Sequence, residues 1–196
     1  MFRTNKGFTI VELVVIIAVI GVLAAMTSIF YTWVATISRD QARETDAKAW
    51  VGTFNTYKSQ FFVYPVMPAS AASPAVGCLG KFPDSLNRCG TYNTGGAYYS
   101  DSTSNTLLTE VAKIGDTPEN NSPIIDGKFA GPMYRVTRSS NTPPYTVTAN
   151  FLSYSEGDCP QDFTDVTSTS PYSTLMPSPD GKHLCRISTS FTYNPN

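Results

Sequence analysis

Two hydrophobic patterns divide the chain. From Gly7 to Ser38 almost every position is apolar, and Glu12 is the only charge. A helix needs about 20 apolar residues to cross the hydrocarbon core of a bilayer, so this run is long enough with some to spare. Residues 8–37 hold no proline, and Gly21 is their only glycine, which predicts one uninterrupted helix. Beyond Ser38 the pattern becomes amphipathic. Ala47, Trp50, Phe54, Tyr57, Phe61 and Tyr64 recur at helical spacing and form one apolar stripe. Arg39, Asp40, Arg43, Glu44, Lys48 and Lys58 mostly fall off that stripe. A coiled coil would show the same spacing, but the simpler reading is a helix covering the chain's own sheet. Pro65 predicts the stop, since it cannot continue a helix and disfavours helical geometry in the residue before it. From Phe8 to Tyr64 such a helix would run roughly 85 Å.

The remaining sequence alternates loops with short regular segments. Pro65–Ser104 is rich in Pro, Gly, Ser and Asn and reads as loop. Ser104–Ile114 predicts a short helix, with Leu107, Leu108, Val111 and Ile114 on one side and Gly115 as its stop. Pro132–Thr137, Tyr145–Ser155 and Cys185–Tyr193 predict strands, and Ser139–Pro144 joins the first two as a hairpin. On the last strand Cys185, Ile187, Thr189, Phe191 and Tyr193 share a face. The expected fold class is therefore α+β: a long N-terminal helix packed on a small antiparallel sheet. The expected boundaries are a leader at 1–7, an apolar helix at 8–38, an amphipathic helix at 39–64 and a globular head at 65–196.

Composition sharpens this picture. Of 196 residues, 41% are hydrophobic and only 15% charged, and 14 Lys+Arg against 15 Asp+Glu leave a net charge of −1. Binding to nucleic acid through net positive charge is excluded. So is a highly charged disordered chain. Lys81, Arg88, Lys128, Arg135, Arg138, Lys182 and Arg186 are scattered, so no nucleic-acid surface is legible. The single histidine, His183, rules out a multi-histidine metal site.

The apolar run is too long for a secretory signal, whose apolar stretch is about 7–15 residues, and Leu23-Ala24-Ala25 is a poor cleavage site. An uncut signal anchor is the plain alternative. Two details point further. Met1–Gly7 is a short hydrophilic leader carrying Arg3 and Lys6, and it stops abruptly before Phe8. Glu12 places a carboxylate inside the apolar run, where an ionisable group marks function unless it snorkels to the headgroups. Lys6-Gly7-Phe8-Thr9-Ile10-Val11-Glu12-Leu13, followed by the apolar helix, resembles the N-terminus of type IV prepilins and pseudopilins. The resemblance implies cleavage between Gly7 and Phe8 by a prepilin peptidase on the cytoplasmic side, then N-methylation of Phe8. It also implies that the N-terminus faces the cytoplasm, which the flanking charges Arg3, Lys6, Arg39, Arg43 and Lys48 do not select. It implies a ladle-like fold as well. Glu12 would meet the Phe8 amine of a neighbouring subunit and set the axial register. Removing one partner of such a buried pair costs roughly 3–5 kcal/mol.

Ala18, Gly21, Ala25 and Ser28 lie along one side of the helix. Small residues let apolar helices approach closely, although Ala and Gly are also common in membrane helices for no special reason. Many pilins carry a proline near the position of Ile29, and this chain does not.

Four cysteines, Cys78, Cys89, Cys159 and Cys185, follow the apolar segment. An even count in an exported head predicts two disulfides, with three pairings open. Cys78–Cys89 with Cys159–Cys185 is favoured because both close local loops, at roughly 3 to 3.5 kcal/mol each in the chain-entropy model. A C-terminal disulfide of this kind is found in many pilins. A Cys₄ zinc site lacks the usual C-x₂-C pair.

Other chemistry is thin. His183 reads as part of a turn, with no nucleophile or orienting acid placed beside it. Asp158, Asp162 and Asp165 fit no EF-hand spacing and read as a solvated loop. Asn120-Asn121-Ser122 matches an N-glycosylation pattern, a frequent chance match. No cofactor and no metal are expected.

The expected function is a structural subunit of a type IV pilus, not an enzyme. Its partners would be other pilin subunits in a homopolymer, the prepilin peptidase, an inner-membrane assembly platform and, before assembly, the lipid bilayer. The alternatives are a pseudopilin of a type II secretion or DNA-uptake system, or a minor pilin serving as adhesin or DNA-binding module. The expected location is the cytoplasmic membrane first and an extracellular filament afterwards.

Overall fold

The computed structural model describes residues 9–79, 102–118, 132–172 and 181–194. The element order is α1 (Ile10–Phe61), β1 (Ala75–Cys78), α2 (Ser102–Val111), β2 (Met133–Arg138), β3 (Tyr145–Ser155), β4 (Thr164–Asp165) and β5 (His183–Tyr193). The protein is α+β: a long N-terminal helix, apolar in its first half, followed by a small antiparallel sheet of five strands in the order β1-β2-β3-β5-β4. The chain divides into two compact units, Met1–Ser38 and Arg39–Asn196.

Among its described residues the first unit buries no large apolar side chain. From Ile10 to Val34 its described large apolar side chains stand exposed. Two hydroxyls within it turn to the backbone: Thr27 Oγ1 donates to the carbonyls of Leu23 and Ala24, and Ser28 Oγ donates to that of Ala24. The helix surface is thus apolar all round, as suits a lipid or helix-bundle surrounding.

In the second unit the amphipathic stripe meets the sheet. Trp50, Phe54 and Tyr64 are buried with Tyr134, Val136, Val147, Ala149 and Phe151, and Leu107 and Val111 of α2 close the same core. Phe54 packs edge-on against Phe151 at 4.9 Å between ring centroids. Alternation puts Phe151 beside its partners Tyr134 on β2 and Ile187 on β5. The opposite face carries a second core of Cys78, Met133, Leu152, Tyr154, Val166, Tyr172 and Leu184. Both faces of β3 are therefore covered, which explains its unbroken burial from Ala149 to Ser155.

Gly77 pairs with Tyr134, whose ring lies across it. A Cβ at Gly77 would stand 2.8 Å from the Tyr134 hydroxyl, so the close approach requires glycine.

Several expectations need correction. The helix stops at Phe61, not at Tyr64. Phe62 takes the left-handed conformation at φ 59°, and its N–H donates to the Lys58 carbonyl. That turn swings Tyr64 back into the core, so it completes the stripe from outside the helix. The stretch expected to be loop contains β1, which pairs with β2. The short helix ends at Val111. Ala112–Ile114 form a turn, followed by Gly115 at φ 143°. His183 opens β5 instead of lying in a turn. Arg43, expected off the stripe, is buried on its N-terminal extension, four residues before Ala47.

Candidate functional site

The N-terminal end of α1 is built by Thr9 and Glu12. The Thr9 hydroxyl accepts from the Glu12 N–H at 3.3 Å, and Glu12 Oε2 accepts from the Thr9 N–H at 2.9 Å and from its hydroxyl at 2.8 Å. This is a reciprocal capping box, in which two helix-end donors are satisfied by side chains. The pattern Thr9-Ile10-Val11-Glu12 carried that signal, and the sequence reading missed it. A carboxylate has about four acceptor positions, and among the described residues both donors go to Oε2. Among the described residues no donor meets Oε1. Gly7 and Phe8 lie outside the described residues, so Glu12 is placed without them.

Ala18, Gly21, Ala25 and Ser28 stand exposed on one side of α1, and a Cβ at Gly21 would meet nothing within 4 Å.

The head holds its own charged cluster. Asp40 accepts from the Glu156 N–H at 2.9 Å and the Gly157 N–H at 3.0 Å, and pairs with Arg43 at 2.7 Å. Glu156 in turn receives Arg39 at 2.9 Å, Arg43 at 3.4 Å and Lys182 at 3.2 Å. Partial burial would raise the Glu156 carboxyl, but Lys182 and Arg39 outweigh it and hold the group below the usual carboxylate range. These contacts tie α1 to the turn after β3. Lys48 bridges Glu44 and Asp162 at 2.8 Å each.

Asp165 accepts from the Thr167 hydroxyl and N–H and faces His183 Nδ1 at 2.7 Å. Those Thr167 hydrogen bonds, then that of His183, hold its carboxyl at about 2. Asp158, Asp162 and Asp165 do not converge: Asp162 serves Lys48 and Asp165 serves β5. No group of acidic, Cys and His side chains suited to a metal forms among the described residues.

Cys159 and Cys185 are joined in a disulfide that pins the segment after β3 to β5. Cys78 lies buried at the end of β1 and is disulfide-bonded, while Cys89 lies outside the described residues.

The tip of α1 thus combines a capped carboxylate, an exposed apolar rod and a length and composition fit to cross a membrane. Residues 2–28 match the family model of the prokaryotic N-terminal methylation motif. This motif is the type IV pilin and pseudopilin signature. It spans the expected processing site, Glu12 and the small-residue stripe, and it ends before the head begins. Comparison with curated proteins and with solved structures returns no match.

Proposed function

We propose that this chain is a structural pilin subunit that polymerises through the first half of α1. The carrying observation is the exposure of that half: apolar on every side, with the Thr27 and Ser28 hydroxyls satisfied internally and Glu12 as its only charge. A surface of this kind is stable in lipid or against copies of itself. The methylation motif supports the second role, because it accompanies leader cleavage with retention of the apolar helix.

The chemistry follows from the tip. Cleavage after Gly7 leaves a cationic amine on Phe8. In a filament core that charge needs an anion, and the Glu12 carboxylate of a neighbouring subunit supplies it, with acceptor positions beyond the two that Thr9 uses. A low-dielectric surrounding strengthens the pair, and a subunit out of register leaves two charges unmatched. Ala18, Gly21, Ala25 and Ser28 then admit the neighbouring helix. The head needs no catalytic group for this task, and its two covered sheet faces serve stability.

Mass spectrometry of sheared surface filaments tests the reading. The expected result is a subunit beginning at N-methylated Phe8 as a dominant component. Full-length chain with Met1 attached, found only as monomer, would overturn it. Processed chain confined to short fibres within the envelope would assign it to a secretion machine.

A further inference from the structure

Three aromatic side chains close the apolar run: Phe30, Tyr31 and Trp33, all widely exposed. At about 100° per residue Phe30 and Trp33 lie about 60° apart and share one side of the helix, while Tyr31 points to another. A protein partner meets a helix on one face, whereas a bilayer interface surrounds it at one depth. Tyr and Trp favour that interface, where an apolar ring and a polar tip are both accommodated.

Length agrees with depth. Ile10 to Phe30 spans about 30 Å of helix, the thickness of a hydrocarbon core. Within it, Thr27 and Ser28 have spent their hydroxyls on backbone carbonyls. Beyond it, Tyr31 and Trp33 are followed by Thr32, Thr36 and Ser38.

We propose that Phe30, Tyr31 and Trp33 form a girdle for the lipid headgroup layer and fix the helix at one depth before assembly. Hydrocarbon then covers Ile10–Phe30 only, and residues 31–38 stand among headgroups, which shortens the membrane core expected from the sequence. Glu12 comes to lie about 3 Å inside the opposite boundary, within reach of the headgroups. Its carboxylate is therefore cheap to hold in the bilayer and becomes demanding only when a polymer encloses it. This inference rests on the reading of α1 as held in lipid before it polymerises.

The test uses the full chain in phosphatidylcholine liposomes whose acyl chains carry bromine near the glycerol end or near the methyl end. Trp33 fluorescence is taken as the difference between wild type and Trp33→Phe, which removes the contribution of Trp50. The expected result is quenching about twofold stronger from the shallow bromines, with the ratio unchanged by Glu12→Val. Stronger quenching from the deep bromines, or none from either, overturns the girdle. A ratio that moves in Glu12→Val also overturns it, since the carboxylate would then set the depth. A deep Trp33 in a chain that still yields filaments sinks this inference alone. A shallow Trp33 in a chain that never forms filaments sinks the pilin reading alone.

Discussion

The two halves of α1 share a backbone geometry and differ in where their apolar surface goes. From Ile10 to Val34 the described large apolar side chains face outward on all sides. From Arg39 onward the large apolar residues fall mainly on one stripe, and Ala47, Trp50 and Phe54 are fully buried by the chain itself, while Phe61 at the helix end stays exposed. The second half is a folding problem already solved within one molecule. The first half is a binding problem whose solution requires lipid or other copies. Helix propensity does not separate them; the partner of each apolar surface does.

The sharpest way to break this comparison is at Glu12. Glu12→Ala should reduce sheared filament yield by at least about a hundredfold, from the roughly 3–5 kcal/mol lost per unmatched amine. Membrane fractionation should show unchanged insertion. Normal filament yield would remove the carboxylate from assembly.

Next in size is a pair of truncations, one in each half. Phe54→Ala should lower head stability by about 3–5 kcal/mol, read from thermal unfolding by circular dichroism. Leu13→Ala, equally apolar but exposed, should move the same transition by less than about 0.5 kcal/mol. Equal effects would mean that the apolar half contributes to the head's core.

A smaller effect is expected where α1 turns back. Phe62 occupies a left-handed position that helix ends usually give to glycine, and its ring is exposed. Phe62→Gly should raise stability by about 1 kcal/mol by relieving that backbone. A loss in the chemical-denaturation midpoint would show that the ring packs on the head.

The smallest effect is at Asp165. Its folded value of about 2 lies below its ordinary 3.8, so its hydrogen bonds stabilise the head above about pH 4 and are lost as pH falls through about 2. Asp165→Asn should flatten the decline of melting temperature across that window. An unchanged slope would assign acid sensitivity to other carboxylates, Glu156 first.

How far the sequence was legible follows the same division. The helical stripe, β2, β3 and most of β5 could be read because periodicity records burial directly. β1 was missed because Ala-Val-Gly-Cys is short, contains glycine and follows a Pro/Ser-rich stretch, so only its pairing with β2 makes it a strand. β4 is two residues long and exists through Arg186 and Cys185. Arg43 was misplaced because charge suggested solvent, while its position continues the buried stripe and Asp40 and Glu156 compensate it. At the tip, the leader, Phe8 and Glu12 stood out as a motif, while the Thr9–Glu12 cap passed unnoticed beside it.

The strand order has a consequence for biogenesis. β5 lies inside the sheet, between β3 and β4, and carries Cys185. It pairs with β3 along eleven positions, yet it leaves the ribosome after every other strand. On the pilin reading proposed above, export delivers the first four strands without this inner one. Until His183–Tyr193 has emerged, Phe151 and Leu152 lack a neighbour on that side and Cys159 lacks its bonding partner. Maturation of the head must wait for its last segment, so on that reading oxidation at Cys159 reports that export has reached β5.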